Sequence, residues 1–142
     1  MRRPAEILLV DDNPADVGLV CDALARTPYG SHLNTVSDGE EAMAYLRRAS
    51  PFSEAVRPSF VMLDLNLPRR DGRGVLAELK SDAGLRTIPV VVFTTSGSLR
   101  DISRSYELGA NCYLTKPGNL NDFVAAVQAL EAFWVRYAAL PD

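Results

Sequence analysis

Apolar positions follow two alternating rhythms along the chain. Short, mostly apolar runs occupy residues 6–10, 60–63 and 88–93, and each ends at a polar residue. Runs of that length suit strands buried on both faces. A weaker run covers 32–36 and a last one 111–114. Between them, apolar residues recur three and four apart, the spacing of one helix face. The first such stretch carries Val17, Val20, Cys21 and Leu24. Asp12 or Asn13 can cap it, with Pro14 in its first turn, and it fades over residues 26–30. The second opens at Asp38-Gly39 and turns Ala42, Met43 and Leu46 inward. The third follows Asp71-Gly72 with Val75, Leu76 and Leu79 inward, and the fourth runs over 99–108 to a glycine stop at Gly109. The longest runs from 119 to about 140, with Phe123, Val124, Val127 and Leu130 as its core stripe. Residues 49–59, with Pro51 and Pro58, read as a polar loop, long for a compact domain.

Strand and helix thus alternate five times. Fully apolar strands in that alternation argue an α/β fold: a single doubly wound (βα)5 parallel sheet with helices on both faces. Strand order 2-1-3-4-5 suits five strands and puts a ligand site at the carboxyl ends of the first and third. A length of 142 residues fits one domain, so the expectation is a single domain over 1–142 with an extended last helix and no output domain. Eighteen acidic against 15 basic residues leave a net charge of -3, which disfavours a nucleic-acid partner. No apolar run is long enough for a membrane span. Residues 7–10 are too short for a signal-peptide core before two aspartates intervene. Cys21 and Cys112 make no disulfide framework and read as buried small hydrophobes. His32 alone cannot build a histidine metal site. A soluble, cytoplasmic protein is expected.

Chemistry collects at the strand ends. The first strand delivers Asp11 and Asp12, the third Asp64, the fourth Thr94 and the fifth Lys116. Three carboxylates in one crevice repel unless a cation neutralises them. Oxygen donors without His or Cys select a hard ion such as Mg²⁺. A lysine and a hydroxyl opposite the metal complete a phosphoryl site, and a carboxylate between them is a nucleophile able to form an acyl phosphate. Each residue alone has an ordinary reading. An aspartate caps a helix or ends a strand, a lysine is solvated, and a threonine fills a strand. All five ordinary readings must hold together for the site to vanish.

At these residues the chain resembles response-regulator receiver domains of two-component signalling. The matching segments are Leu8-Leu9-Val10-Asp11-Asp12, Met62-Leu63-Asp64-Leu65-Asn66-Leu67-Pro68 with Asp71-Gly72, Val92-Phe93-Thr94, and Gly109-Ala110-Asn111 through Lys116-Pro117. They occur in order over nearly the whole chain. The resemblance implies a flavodoxin-like receiver fold, a sensor histidine kinase as partner, and Asp64 as the phosphoacceptor. It implies Mg²⁺ held directly by Asp12, mostly through water by Asp11, and by Asp64 and the backbone carbonyl of Asn66. It implies phosphoryl contacts from Thr94 and Lys116, a switch of Thr94 and Tyr113 with Tyr113 swinging inward, and a cis bond at Lys116-Pro117. Catalysis is then confined to the protein's own phosphorylation and dephosphorylation. Thr95 departs from the smaller residue usual there and can narrow phosphoryl access. Asn13-Pro14-Ala15-Asp16, the stretch Ser105-Tyr106-Glu107-Leu108-Gly109-Ala110-Asn111-Cys112-Tyr113, and Phe133-Trp134 look more narrowly like regulators paired with phytochrome kinases.

Beyond its core stripe the last helix adds Phe133, Trp134, Val135, Tyr137 and Leu140. So many large apolar groups on a small domain mark a partner surface. The family resemblance points to a two-fold homodimer through the fifth strand and the fourth and fifth helices, with Phe133 and Trp134 in the interface. The alternative is that this extension folds back on its own domain. Arg69-Arg70 reads as a solvated pair able to steer an acidic partner. Two other functions stay open on the residues alone. A dehalogenase-type aspartyl phosphatase wants a second acid two residues after its nucleophile, where this chain has Asn66. A flavodoxin-like electron carrier wants a glycine- and hydroxyl-rich phosphate loop after the first strand, where Asp11-Asp12-Asn13 would repel phosphate.

Overall fold

A computed structural model of the protein describes residues 4–141. In chain order the elements are β1 (Glu6–Val10), α1 (Pro14–Ala25), β2 (His32–Val36), α2 (Gly39–Leu46), β3 (Phe60–Leu63), α3 (Gly72–Ser81), β4 (Val90–Thr94), α4 (Leu99–Glu107), β5 (Cys112–Thr115) and α5 (Leu120–Glu131). The strands form one parallel sheet in the order β2-β1-β3-β4-β5, the order expected. Each side of the sheet has its own core. Leu8, Val10, Val61, Leu63, Val90 and Val92 face α2 and α3, while Ile7, Leu9, Phe60, Met62, Val91 and Phe93 face α1 and α5. That is the two-residue period of strands covered on both faces.

Side-chain caps start the helices. Asn13, Asp38, Asp71, Ser98 and Asn119 each accept a backbone N–H in the first turn of the helix that follows. Each cap contributes about 1 kcal/mol. Gly109 ends the α4 segment with φ +106, a conformation side chains disfavour. The α4 helix is the least anchored, with Ser105 its fully buried residue.

Four expectations change. The last helix is not one α-helix to residue 140: after Glu131 it continues as a π-helical segment over Ala132–Tyr137. There Ala138 N–H donates to Phe133 O, five residues back, and the wider winding turns Trp134 onto Phe60, with ring centroids 6.1 Å apart. Cys21 is exposed, not buried. Val20, Ala23 and Leu24 define the inward stripe of α1, and at about 100° per residue Cys21 falls outside it. The strand expected at 88–93 begins at Val90, after Pro89, which has no N–H to donate. The Lys116-Pro117 bond is trans, and the cis bond among the described residues is Ser50-Pro51.

Candidate functional site

The sheet carries its ladder one step past three strands, and those steps fix the site. Asp11 N–H donates to Val36 O at 3.1 Å, Asp64 N–H to Val10 O at 3.0 Å, and Lys116 N–H to Thr94 O at 2.7 Å. Each site residue is therefore held by its backbone against the neighbouring strand. Gly72, at the start of α3, sits against the same place. Its N–H donates to Leu65 O at 2.9 Å, and a Cβ there would lie 2.2 Å from Asp64 O. Only a glycine lets α3 begin so close to the Asp64 backbone.

Carboxylate oxygens of Asp11, Asp12 and Asp64 converge within 4.8 Å of one another. Asp11 and Asp64 are buried and Asp12 faces solvent. Thr94, fully buried, donates its hydroxyl to Asp64 Oδ1 at 2.8 Å. The Asn66 N–H donates to the same oxygen at 3.2 Å. Lys116 Nζ donates to Asp64 Oδ2 at 3.0 Å, to Asp11 Oδ2 at 2.8 Å and to Asp16 Oδ2 at 2.8 Å. The Lys116 side chain is 4% exposed. Burial alone would discharge it, but its hydrogen bonds and ion pairs with Asp11, Asp16 and Asp64 outweigh burial and hold its pKa above the ordinary lysine value. Burial also pushes the Asp11 carboxyl up, against hydrogen bonds from Lys116 and the Asn13 N–H.

The arrangement suits a hard divalent cation. All donors in the trio are oxygens, one of them open to solvent, which is the donor set of a cation that keeps part of its water shell. Asp11, Asp12 and Asp64 can hold it, with the exposed Asn66 adjoining them in sequence.

The other expected positions fall as follows. Tyr113 is half-buried against the α2–α3 core and donates its hydroxyl to Ser96 O at 2.8 Å, in the loop that follows Thr94. The same loop is tied to α4 and α3, since Ser96 Oγ donates to Asp101 Oδ2 and Arg73 donates to Asp101 Oδ1 at 2.7 Å. Phe133 is 52% exposed. Trp134 stacks on Phe60 and packs against the α1–α5 core, so the fold-back alternative holds for this residue. Both line an apolar groove of about 500 Å³ with Cys112, Leu114, Ala126 and Leu130, along β5 and α5. Of the arginine pair, Arg69 is exposed and Arg70 is engaged by Glu78, so only Arg69 is the solvated residue expected. His32 pairs with Glu6 at the sheet edge. Thr95 is exposed and lines a groove with Asp16, Lys116 and Pro117.

Asp16 is the site residue that the sequence reading left out. It lies 100 positions from Lys116, and its place in the first turn of a capped helix already explains an acid there.

Comparison with known proteins shows the family and the fold. The family model described as "Response regulator receiver domain" matches residues 7–128. Response regulator Rcp1 of Synechocystis is 46% identical, over 97% of this chain and 94% of Rcp1. The structure of the phosphorylated cyanobacterial phytochrome response regulator RcpA superimposes with a TM-score of 0.95 at 48% identity, covering 99% of this chain and all of RcpA. Response regulator RPA3017, in red light signalling of R. palustris, gives 0.90 at 36% identity over 99% of both chains. The Mn²⁺-bound form of Rcp1 gives 0.94 at 46% identity, over 98% of this chain and all of that one. With a family model spanning most of its length and a sheet order that agrees with these structures, this chain belongs to the response regulator receiver domains.

Proposed function

We propose that Asp64 accepts a phosphoryl group from the phosphohistidine of a phytochrome-type sensor histidine kinase, and that the phosphorylated chain signals through a changed protein–protein contact. The carrying observation is the division of the Asp64 carboxylate. One oxygen is hydrogen-bonded by the Thr94 hydroxyl and the other by the Lys116 ammonium. In the transfer, an Asp64 oxygen forms a bond to phosphorus while the P–N bond of phosphohistidine breaks. The imidazole leaves with that electron pair. Hydrolysis later adds water at phosphorus, breaks the O–P bond, and returns the carboxylate and inorganic phosphate.

Asp11, Asp12, Asp64 and the Asn66 carbonyl would hold Mg²⁺, which would supply charge neutralisation for the phosphoryl oxygens. Lys116 neutralises a second side as a point cation. Thr94 moves with the phosphoryl group, and Tyr113 follows because its hydroxyl rests on the same β4–α4 loop. The assignment to a phytochrome-type kinase rests on the likeness to RcpA, a phytochrome response regulator, and to RPA3017, of red light signalling. The divalent cation draws support from the Mn²⁺-bound Rcp1. The phosphodonor makes the setting cytoplasmic, and the output is a protein contact rather than nucleic-acid binding. That contact includes a second copy of this chain, docked through the groove of β5 and α5 at the sheet edge, where Phe133 is its exposed anchor.

Phosphotransfer from an autophosphorylated phytochrome-type kinase tests the reading. Label should pass to the wild type in Mg²⁺, and neither to Asp64→Asn nor to wild type in chelator. Undiminished label on Asp64→Asn would overturn it.

A further inference from the structure

An ammonium group has three N–H donors and no acceptor. At Lys116 all three are occupied, each by a different carboxylate: Asp11, Asp16 and Asp64. Asp11 and Asp64 belong to the acidic trio, and Asp16 does not.

The local structure of α1 does not need the Asp16 side chain. Asp16 is the third residue of the helix, where an acid commonly reaches back to the N–H of the capping residue. Here the Asn13 N–H already donates to Asp11 Oδ1 at 2.9 Å, and Asn13 Oδ1 accepts from the Asp16 N–H at 3.1 Å. The cap is complete without the carboxylate. Asp16 instead reaches across to the loop after β5 and holds Lys116 there.

A phosphoryl group on Asp64 needs a donor from Lys116, so one of the three contacts must open. The three are unequal. Lys116 has to stay beside Asp64, whose oxygen takes the phosphoryl group, and Asp11 is 1% exposed, so stripping the cation from that buried carboxylate is costly. Asp16 is 20% exposed and can exchange Lys116 for water more cheaply. Its negative charge also opposes the added charge of the phosphoryl group. We infer that Asp16 is a positioning residue that holds Lys116 in the resting state and yields it to the phosphoryl group, so that the Asp16–Lys116 pair sets the rate of Asp64 phosphorylation. This rests on Asp64 being the phosphoacceptor.

The experiment measures phosphorylation of the full chain by acetyl phosphate in Mg²⁺, with metal affinity titrated separately. Asp16→Asn keeps the shape and an acceptor oxygen but removes the charge. It should be phosphorylated roughly three- to tenfold faster than wild type, the scale of one partly solvated charge acting on another nearby. Its Mg²⁺ affinity should stay within about twofold, because Asp16 lies outside the trio. Asp16→Glu should restore the wild-type rate. Glu41→Gln removes an acid that shares a groove with Asp11 and Asp12 but does not touch Lys116, and should not accelerate. An Asp16→Asn rate at or below wild type overturns the inference while labelled wild type leaves the phosphoacceptor reading standing. Equal acceleration by Glu41→Gln, or a tenfold change in Mg²⁺ affinity in Asp16→Asn, overturns it as well. A wild type that takes no label, with folded protein and bound Mg²⁺, overturns both readings together.

Discussion

Replacing Lys116 with methionine removes a charge at nearly constant length, and its consequences can be worked from the site. The ammonium touches three carboxylates at 2.8, 2.8 and 3.0 Å. Asp16 is partly solvated, so its share of the loss is small. Asp11 and Asp64 are buried, and without Lys116 they face each other uncompensated. Breaking one partner from a buried ion pair costs about 3–5 kcal/mol. At about 2–4 °C per kcal/mol for a domain of this size, the variant should melt roughly 10 °C below wild type in chelator. A divalent cation reverses part of this. It neutralises the same carboxylates, and the variant no longer offers a competing ammonium, so its Mg²⁺ affinity should rise. Ligand linkage contributes about 2.7 kcal/mol at a hundred times the dissociation constant, so saturating Mg²⁺ should raise the variant's melting temperature more than the wild type's. Circular dichroism melts of both proteins, in chelator and in Mg²⁺, give the four values needed. A variant melting within about 2 °C of wild type in chelator, or gaining no more from Mg²⁺ than wild type, would refute the reasoning.

Acid should weaken the fold partly through Glu78. Its hydrogen bond from Arg70 holds the carboxyl below its ordinary value of 4.5, so its stabilisation is present above that value and lost as pH falls through the folded-state pKa. Urea midpoints of Glu78→Gln should therefore fall less steeply on acidification than those of wild type, and identical slopes would remove Glu78 from the acid response. At the β5–α5 groove, Phe133→Ser should shift sedimentation at high micromolar protein towards monomer while Asp64 still takes label. A wild type that stays monomeric in both phosphorylation states would end the dimer proposal.

Burial and charge explain what the sequence disclosed. Phe60-Val61-Met62-Leu63 reads as a central strand because both its faces are covered, and Asp64 stands out as the polar residue that interrupts it. Asp11, Thr94 and Lys116 are legible the same way, as polar residues at the ends of their strands. The last helix was less legible. Phe133, Trp134 and Val135 are consecutive, so no single helical face accommodates them, and apolar spacing does not separate a π-helical turn from an α-helical one. What Trp134 stacks on is a contact with Phe60, which no local pattern reports. Cys21 has helical spacing from Val17 and Leu24, yet the narrow stripe of Val20, Ala23 and Leu24 decides which side of α1 is covered. The role of Arg70 was hidden because its partner Glu78 lies on the following helix rather than in the loop.

Locating the phosphoryl group by mass shows whether Asp64 carries it. After reaction with an autophosphorylated phytochrome-type kinase in Mg²⁺, rapid proteolysis and peptide mass spectrometry should find one acid-labile phosphoryl group. It should sit on the peptide that contains Asp64 and be absent from Asp64→Asn. A phosphoryl group mapped to Asp11, Asp12 or His32, or persisting undiminished in Asp64→Asn, would contradict the account.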